Sequence, residues 1–462
     1  MATTSKRLIF LYSCPNFKTK KKKKPINSMT SPSNRVLIVG AGLGGLTLAQ
    51  SLRKLNIPHL VLERDASASS RGQGWSIGIS WIIEPLLAGI ITSDKPDLRS
   101  TCANYAVGHE ECVALQSSCF MDGTTGRMVQ KDMTKFDEVL ELRVSRRKLR
   151  DWLAIGVDIE WGKTVSSVTE NEGGVVVQCS DGTVFEGAVL VGADGVTSQV
   201  RQHLLPDCKT KCLPVTVISA QRRLSYDHYA EVTSTLAPAA SVAYADRILL
   251  ALTLIELHSP PRSSGPGADF FWFLSSIDKS EQALQEAGQS DGIEWMERQA
   301  AKSSSDRFSE VLKIVKDTGI VDPLKNVVEQ TSSEEPVTQI FMREVTINSF
   351  PEGRVTLLGD AAHAMSIFHG VAGNHAMLDA LKLGPILASL LLPPEVISTK
   401  EVSAALKVYA DEMLPRNLQE QTAARKSTFA MHRSLAEWQG LSGLSAAHDK
   451  SERRVWGNED SK

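Results

Sequence analysis

Paired cysteines are missing from this chain of 462 residues. Its seven cysteines are scattered, and the closest two, Cys208 and Cys212, have three residues between them. No Cys-x-x-Cys occurs, which removes a thioredoxin-type dithiol centre and the usual zinc spacings. Scattered free thiols fit a cytoplasmic protein, and no metal is expected. Long apolar runs are missing too. The longest candidate, 385–392, stops at Pro393-Pro394, far short of the roughly 20 residues of a spanning helix. A secretory signal is not expected: residues 8–12 are too short for its apolar core, and the lysines follow them. Acids are missing from the first 35 positions, which hold nine Lys or Arg. Set against a formal net charge of −2, that segment leaves the remainder at about −11. A lysine run such as 20–24 can mark a nuclear or nucleic-acid-binding segment. Here 1–34 is expected to be a disordered basic arm, or an upstream extension of a chain starting at Met29, without a nucleic-acid partner.

Composition is otherwise ordinary, 42% hydrophobic and 23% charged, with length for two or three domains' worth of core. Val36-Leu37-Ile38-Val39 reads as a short buried parallel strand. It runs into Gly40-Ala41-Gly42-Leu43-Gly44-Gly45. Gly40 allows a tight turn, Gly42 lets a pyrophosphate approach the backbone, and Gly45 lets the next helix pack close to the sheet. Leu43, Leu46, Ala49, Leu52 and Leu55 recur at helical steps, and Asn56 with Pro58 ends the helix. Its first N–H groups and positive dipole end would face phosphates. A second strand, 59–62, ends at Glu63, whose carboxylate suits two ribose hydroxyls about 20 residues after the glycines. The fingerprint occurs once, which excludes reductases built on two dinucleotide domains.

Strands are expected across 157–190, with turns at 171–174 and 181–182. The last enters Gly192-Ala193-Asp194-Gly195-Val196-Thr197-Ser198-Gln199-Val200-Arg201. Read locally, Asp194 serves a turn and a helix cap. Between about 210 and 350 the strand–helix alternation gives way to polar–apolar strands and a helical patch, 280–315. A third motif, Leu357-Leu358-Gly359-Asp360-Ala361-Ala362-His363, is a strand ending in an acid. It leads to Gly373-Asn374 and a helix from His375 onward.

In this order, the three motifs resemble the FAD-dependent monooxygenases of the aromatic-hydroxylase type, like p-hydroxybenzoate and salicylate hydroxylases. The resemblance covers roughly residues 35–430 and looks closest to fungal secondary-metabolism members. It implies an α/β fold with a Rossmann-like FAD-binding domain that includes part of the interdomain sheet (35–205 and 350–435) and an inserted β-sheet-rich substrate domain (206–349). A C-terminal helical segment and a flexible tail, 436–462, complete it. FAD would be held non-covalently by the glycines and Glu63, with Asp360 on the ribityl hydroxyls. Gly373 and Asn374 would face the flavin N1–C2=O edge, where a helix N-terminus stabilises the charge of the reduced ring. Gly74 would lie beside the ring and ribityl chain, and Arg146 matches the family's Arg-x-x-Leu helix start. Without the resemblance, Arg146 reads as one solvated charge among Arg143, Arg147, Lys148 and Arg150. Asp194 would link flavin and NADPH handling. Arg222 and Tyr226 follow the middle motif, where some relatives place catalytic residues. The run Phe270-Phe271-Trp272-Phe273 is read as lining a pocket for a flat apolar substrate, with at least half of it in the sheet core.

The implied reaction consumes NADPH or NADH and O2 and hydroxylates or epoxidises an apolar aromatic, polyketide or terpenoid molecule. A flavin-dependent oxidase, dehydrogenase or cyclase on the same fold, or a flavin-binding protein without oxygenase activity, are the alternatives. The sequence departs from the family at Ala364 and Ile367, where proline is common, and at Ala372, where a loop glycine is usual. The methyl of Ala372 is expected to crowd the ring or narrow the route for oxygen.

Overall fold

The computed structural model describes residues 34–70, 76–104, 118–132, 142–235, 240–258, 267–331, 337–392 and 397–440. All but the last residue of the expected basic arm, most of the expected tail, and Gly74 lie outside them.

The β-branched run after Arg35 forms β1 (Val36–Val39), buried at every position. The leucine-studded segment behind it forms α1 (Leu43–Lys54), and β2 (His59–Glu63) follows. The chain continues through β3 (Ser76–Ile79), α2 (Ile83–Ile90), α3 (Leu98–Cys102), β4 (Ser118–Asp122), β5 (Met128–Asp132), β6 (Leu142–Ser145) and α4 (Arg146–Ala154). Then come β7 (Ile159–Trp161), β8 (Val165–Asn171), β9 (Gly174–Cys179), β10 (Val184–Gly187), β11 (Val189–Gly192) and α5 (Gln199–Leu204). The next stretch holds β12 (Thr210–Ser225), α6 (Tyr226–Thr235), β13 (Ala240–Ala245), β14 (Ile248–His258) and β15 (Gly267–Ile277). Helices α7 (Lys279–Glu286), α8 (Ile293–Ala300), α9 (Ser304–Thr318) and α10 (Leu324–Glu329) precede β16 (Thr338–Val345). The chain closes with β17 (Val355–Leu357), α11 (Asp360–His363), a 3-10 turn (Ile367–His369), α12 (Ala372–Leu391), α13 (Thr399–Met431) and α14 (Leu435–Gly440).

A parallel sheet in the order β17-β11-β1-β2-β7 carries the first core. Leu37, Ile38, Leu46, Leu52, Val189, Leu190, Val191 and, from α12, Met377 are all fully buried in it. Each such side chain contributes roughly 1.5–3 kcal/mol of transfer free energy. A second sheet, in the order β16-β12-β15-β14-β13-β4-β5, lies over the C-terminal helices on one face and α9–α10 on the other. Residues 118–132 join this sheet: β4 pairs in parallel with β13, and β5 pairs with β4 at the edge among the described strands.

Side-chain alternation divides the aromatic run of β15. Phe270 and Trp272 pack with Leu252, Leu254 and Val311 beneath the helical layer. The Trp272 indole N–H is satisfied by Thr331 Oγ1 at 2.9 Å. Phe271 and Phe273 stack on the opposite face, ring centroids 6.0 Å apart. That face meets Phe368 of the 3-10 turn and Met431 of α13. No helix among the described residues is long and apolar enough to cross a membrane.

Candidate active site

Gly40 turns the chain out of β1 with φ +112°, and a Cβ there would stand 2.3 Å from the carbonyl oxygen of Ala193. A Cβ on Gly45 would stand 2.0 Å from the Gly40 carbonyl oxygen. Packing therefore demands these two glycines. Gly42 differs: a Cβ there would meet nothing within 4 Å, so open space lies before α1. Helix α1 has no side-chain cap and no acid in its first turn, which leaves its N–H donors and dipole to an anion.

Glu63 is buried at the end of β2. Its Oε2 accepts from the Ala41 N–H at 2.7 Å and its Oε1 from the Asp65 N–H at 3.0 Å. The carboxylate thus also ties the glycine loop to β2. Arg150 grips the same loop from α4, with Nε donating to the Ala41 carbonyl at 2.8 Å and Nη1 to that of Ala68 at 3.1 Å. It is the buried arginine of that basic helix, and sequence reading passed it over. Arg146 opens α4 half-buried and acts on the charge of Asp360.

Asp194 spends its carboxylate locally. Oδ1 accepts from the Ser198 hydroxyl at 2.5 Å and Oδ2 from the Gln199 N–H at 2.7 Å, at the start of α5. Arg201, in that helix, is 3% exposed. Its Nη1 donates to the Ala361 carbonyl at 2.9 Å and its Nη2 to that of Val196 at 2.6 Å.

Asp360 opens α11; burial of its carboxyl pushes the pKa above the usual carboxylate value, opposed by the charges of His363, Arg146 and Arg343. The Nε of Arg343 is buried and has no hydrogen-bond partner among the described residues. Helix α12 starts at Ala372, three residues earlier than the sequence reading, so Gly373 and Asn374 belong to its first turn. Gly370 ends the 3-10 turn at φ +75°, and Val371 precedes the helix without a side-chain cap. A Cβ on Gly373 would lie 3.7 Å from Leu43 of α1, so the two uncapped helix starts are neighbours. Asn374 is buried with its Oδ1 unpartnered among the described residues.

Behind this turn lies a polar row that sequence reading missed. Asp379 of α12 is fully buried. Its Oδ2 stands 2.5 Å from His363 Nε2 and accepts from the Gly359 N–H at 2.9 Å. Its Oδ1 accepts from Arg416 Nη2 at 2.9 Å and Asn417 Nδ2 at 3.1 Å. Burial alone would raise its pKa, but His363, Arg416 and the Gly359 N–H outweigh that and hold the carboxyl below the usual carboxylate range. Arg416 Nη1 also donates to His375 Nδ1 at 3.0 Å, which places the ring's own hydrogen on Nε2. Glu420 Oε2 lies 3.3 Å from His369 Nε2 and 3.8 Å from His375 Nε2. Gln421 Nε2 donates to the carbonyls of Val345 and Ala364 at 2.8 and 2.9 Å, and Thr428 Oγ1 to Ser366 Oγ at 2.6 Å. These α13 residues recur at steps of three and four, one face gripping 359–379 from behind.

Arg222 is not in this region. It pairs across the strands with Phe270, on the helix-covered face, and its Nη1 donates to the Val327 carbonyl of α10 at 2.8 Å. Its side chain is thus engaged on the helix-covered face of the sheet. Tyr226 opens α6 at the end of the same strand.

The donor set fits FAD. Two adjacent uncapped helix starts, open space at Gly42, Asp360 flanked by Arg146, and the orphaned Asn374 oxygen match a ligand with a pyrophosphate, a polyol and a polar ring edge. Known proteins agree. The family model described as FAD binding domain matches residues 33–78 and 293–419. The FAD-dependent monooxygenase thnD of Trichoderma harzianum is 31% identical over 399 residues, 85% of this chain and 92% of that one. The FAD-dependent monooxygenase phnB of Penicillium herquei is 29% identical over 418 residues, 87% of this chain and 92% of that one. Among solved structures, Klebsiella pneumoniae HpxO complexed with FAD and uric acid superposes with a TM-score of 0.65 at 18% identity, covering 91% of this chain and 94% of that one. The chain is an enzyme that belongs to the FAD-dependent monooxygenases.

Proposed function

We propose that this monooxygenase is reduced by NADPH or NADH and transfers one oxygen atom of O2 to a small apolar molecule, aromatic, polyketide or terpenoid, in secondary metabolism. The observation that carries the reading is the convergence of the α1 and α12 N-termini beside Asp360, under an apolar sheet face. When bound, FAD supplies the two-electron reduction and the activation of oxygen.

The chain's own residues supply binding and electrostatics. The α1 start and Gly42 take the pyrophosphate, and Glu63 the adenosine ribose while it fixes the Ala41 turn. Arg146 and Asp360 flank the ribityl chain. The N–H groups of Gly373 and Asn374, at the positive end of α12, favour negative charge on the ring edge that they face. Asp194 acts through backbone geometry, since its carboxylate caps α5. The apolar face of the second sheet would exclude water from the reacting region when FAD is bound. The location proposed is the cytoplasm. The relatives' names, fungal FAD-dependent monooxygenases, support the reading.

Anaerobic mixing of the FAD-loaded protein with NADPH, and separately NADH, tests the reductant. Bleaching of the flavin's visible absorbance by one of them is expected. Failure of both to bleach it, with dithionite still effective, would overturn the pyridine-nucleotide part.

A further inference from the structure

Asn104 stands where the β3–β6 ribbon meets the second sheet. Its N–H donates to the Arg143 carbonyl of β6 at 3.3 Å, and its carbonyl accepts from the Leu257 N–H of β14 at 2.9 Å. The neighbouring Ala103 bridges to Val144. Strand β14 is irregular at this point, since its pairing with β15 slips between Leu254 and Glu256. The Asn104 amide lies against the slip. Its Nδ2 donates to the Leu254 carbonyl at 2.8 Å and to Ser76 Oγ of β3 at 2.7 Å. Lys148 of α4 holds the same stretch, with Nζ 3.1 Å from Glu256 Oε1.

These bonds leave two polar groups over. A carbonyl oxygen only accepts, so the atom facing Leu254 is the amide nitrogen, and both of its hydrogens are spent. The Oδ1 atom of Asn104 is buried with no hydrogen-bond partner among the described residues, in a residue 2% exposed. Ser76 is 8% exposed. Its Oγ accepts from Asn104, and its own hydrogen meets no acceptor among the described residues. A buried acceptor thus stands beside a buried donor. Leaving either unpaired is unfavourable, so the two suit a ligand edge that carries a donor next to an acceptor.

Strand register puts this pair beside the cofactor site. Ser76 lies opposite Ser145, which caps α4, and the next residue is Arg146, whose charge acts on Asp360. An isoalloxazine ring carries one edge of the required kind away from C2=O, where its N3–H adjoins C4=O. We infer that Asn104 Oδ1 accepts from the flavin N3–H and that the Ser76 hydroxyl donates to C4=O. The inference rests on the FAD site described above and adds two side-chain contacts to it. Together they fix the ring's rotation in its own plane. Because the same amide holds Leu254, the ring and β14 share one anchor.

The test uses the full chain, stripped of FAD and titrated with FAD or with 3-methyl-FAD, whose methyl replaces the N3–H donor. Flavin fluorescence reads affinity, and the ¹⁵N resonance of N3-labelled FAD reads the contact itself. The wild type is expected to bind FAD at least about threefold more tightly than 3-methyl-FAD, the worth of one net hydrogen bond. Asn104→Ala, which also leaves room for the methyl, should abolish that preference by weakening FAD, and should move the N3 resonance. Ser76→Ala should weaken both flavins severalfold and keep the preference. The wild-type comparison and Ser76→Ala decide the matter if Asn104→Ala does not fold. Equal affinity of the wild type for the two flavins would overturn the inference. So would a preference that survives Asn104→Ala, or unchanged FAD affinity in both variants, the result for a pair bridged by internal water only. Failure of the proposed function would look different: flavin bound as expected, yet reduced by neither NADPH nor NADH.

Discussion

Arg201 Nη1 donates to the carbonyl oxygen of Ala361 at 2.9 Å, joining two motifs that lie 160 residues apart in sequence. The same guanidinium holds the Val196 carbonyl, so it ties the Asp194–Arg201 turn to the segment after Asp360. Arg201→Ala would leave two carbonyls without their charged donor, at about 1.5–3 kcal/mol each. The expected outcome is a thermal midpoint several degrees lower and weaker FAD binding, with Arg201→Lys intermediate. Differential scanning fluorimetry and FAD titration check it; wild-type values in both would show the link to be dispensable.

Asp379 is the hub of the polar row behind α12. Asp379→Asn removes a buried charge and leaves Arg416 without its buried carboxylate partner, a change that costs about 3–5 kcal/mol. Glu420→Gln, at a partly exposed pair of histidine contacts, should cost less than about 1 kcal/mol. Urea unfolding of both variants measures the contrast. Similar midpoints would contradict the ranking.

Acid lability has a defined window. Burial pushes His375 and His432 down to about 4, so both are neutral in the fold. Their ordinary value is near 6.5, so the unfolded chain takes up two protons that the folded chain refuses as pH falls from about 6.5 to 4. Stability is therefore full above that window and is lost downward through it, with a limiting slope of about 2.7 kcal/mol per pH unit from these two groups. His432 contacts Thr428 O and Ser275 Oγ at 2.7 and 2.9 Å. His432→Gln should remove about half of that slope. Urea midpoints at pH 6.5, 5.5 and 4.5 decide; an unchanged slope would mean that His432 titrates normally.

Ala372 is the first residue of α12 and half-buried. Glycine there should cost less than the roughly 0.5–1 kcal/mol of a helix interior. If the methyl narrows the space at the flavin edge, Ala372→Gly should reoxidise faster after reduction and couple more product to each NADPH, with the fold intact and FAD slightly weaker. Stopped-flow reoxidation with substrate present would show identical rates if the methyl is neutral.

What was legible in the sequence was local. The run of Val36 to Val39, the glycines and Glu63 sit within one strand–helix–strand unit, and alternation alone separated Phe270 and Trp272 from Phe271 and Phe273. The same alternation places Arg222 opposite Phe270 on the helix-covered face. The start of α12 was hidden because Gly370 and Gly373 both read as loop. The partnership of β4 with β13 joins residues more than a hundred apart, and no periodicity announces it. Arg416, Glu420, Gln421 and Thr428 look like the solvated face of a long helix, because their partners come from distant segments.

The central claim, oxygen transfer to a small molecule at the expense of NADPH or NADH, is tested most directly by turnover under ¹⁸O2. The FAD-loaded enzyme would be incubated with a substrate that stimulates NADPH or NADH oxidation, and the product examined by mass spectrometry. One ¹⁸O atom per product molecule, absent when the label is supplied as H2¹⁸O, is the expected result. A product without label, formed with one hydrogen peroxide per product and no nucleotide consumed, would make the protein an oxidase and contradict the account.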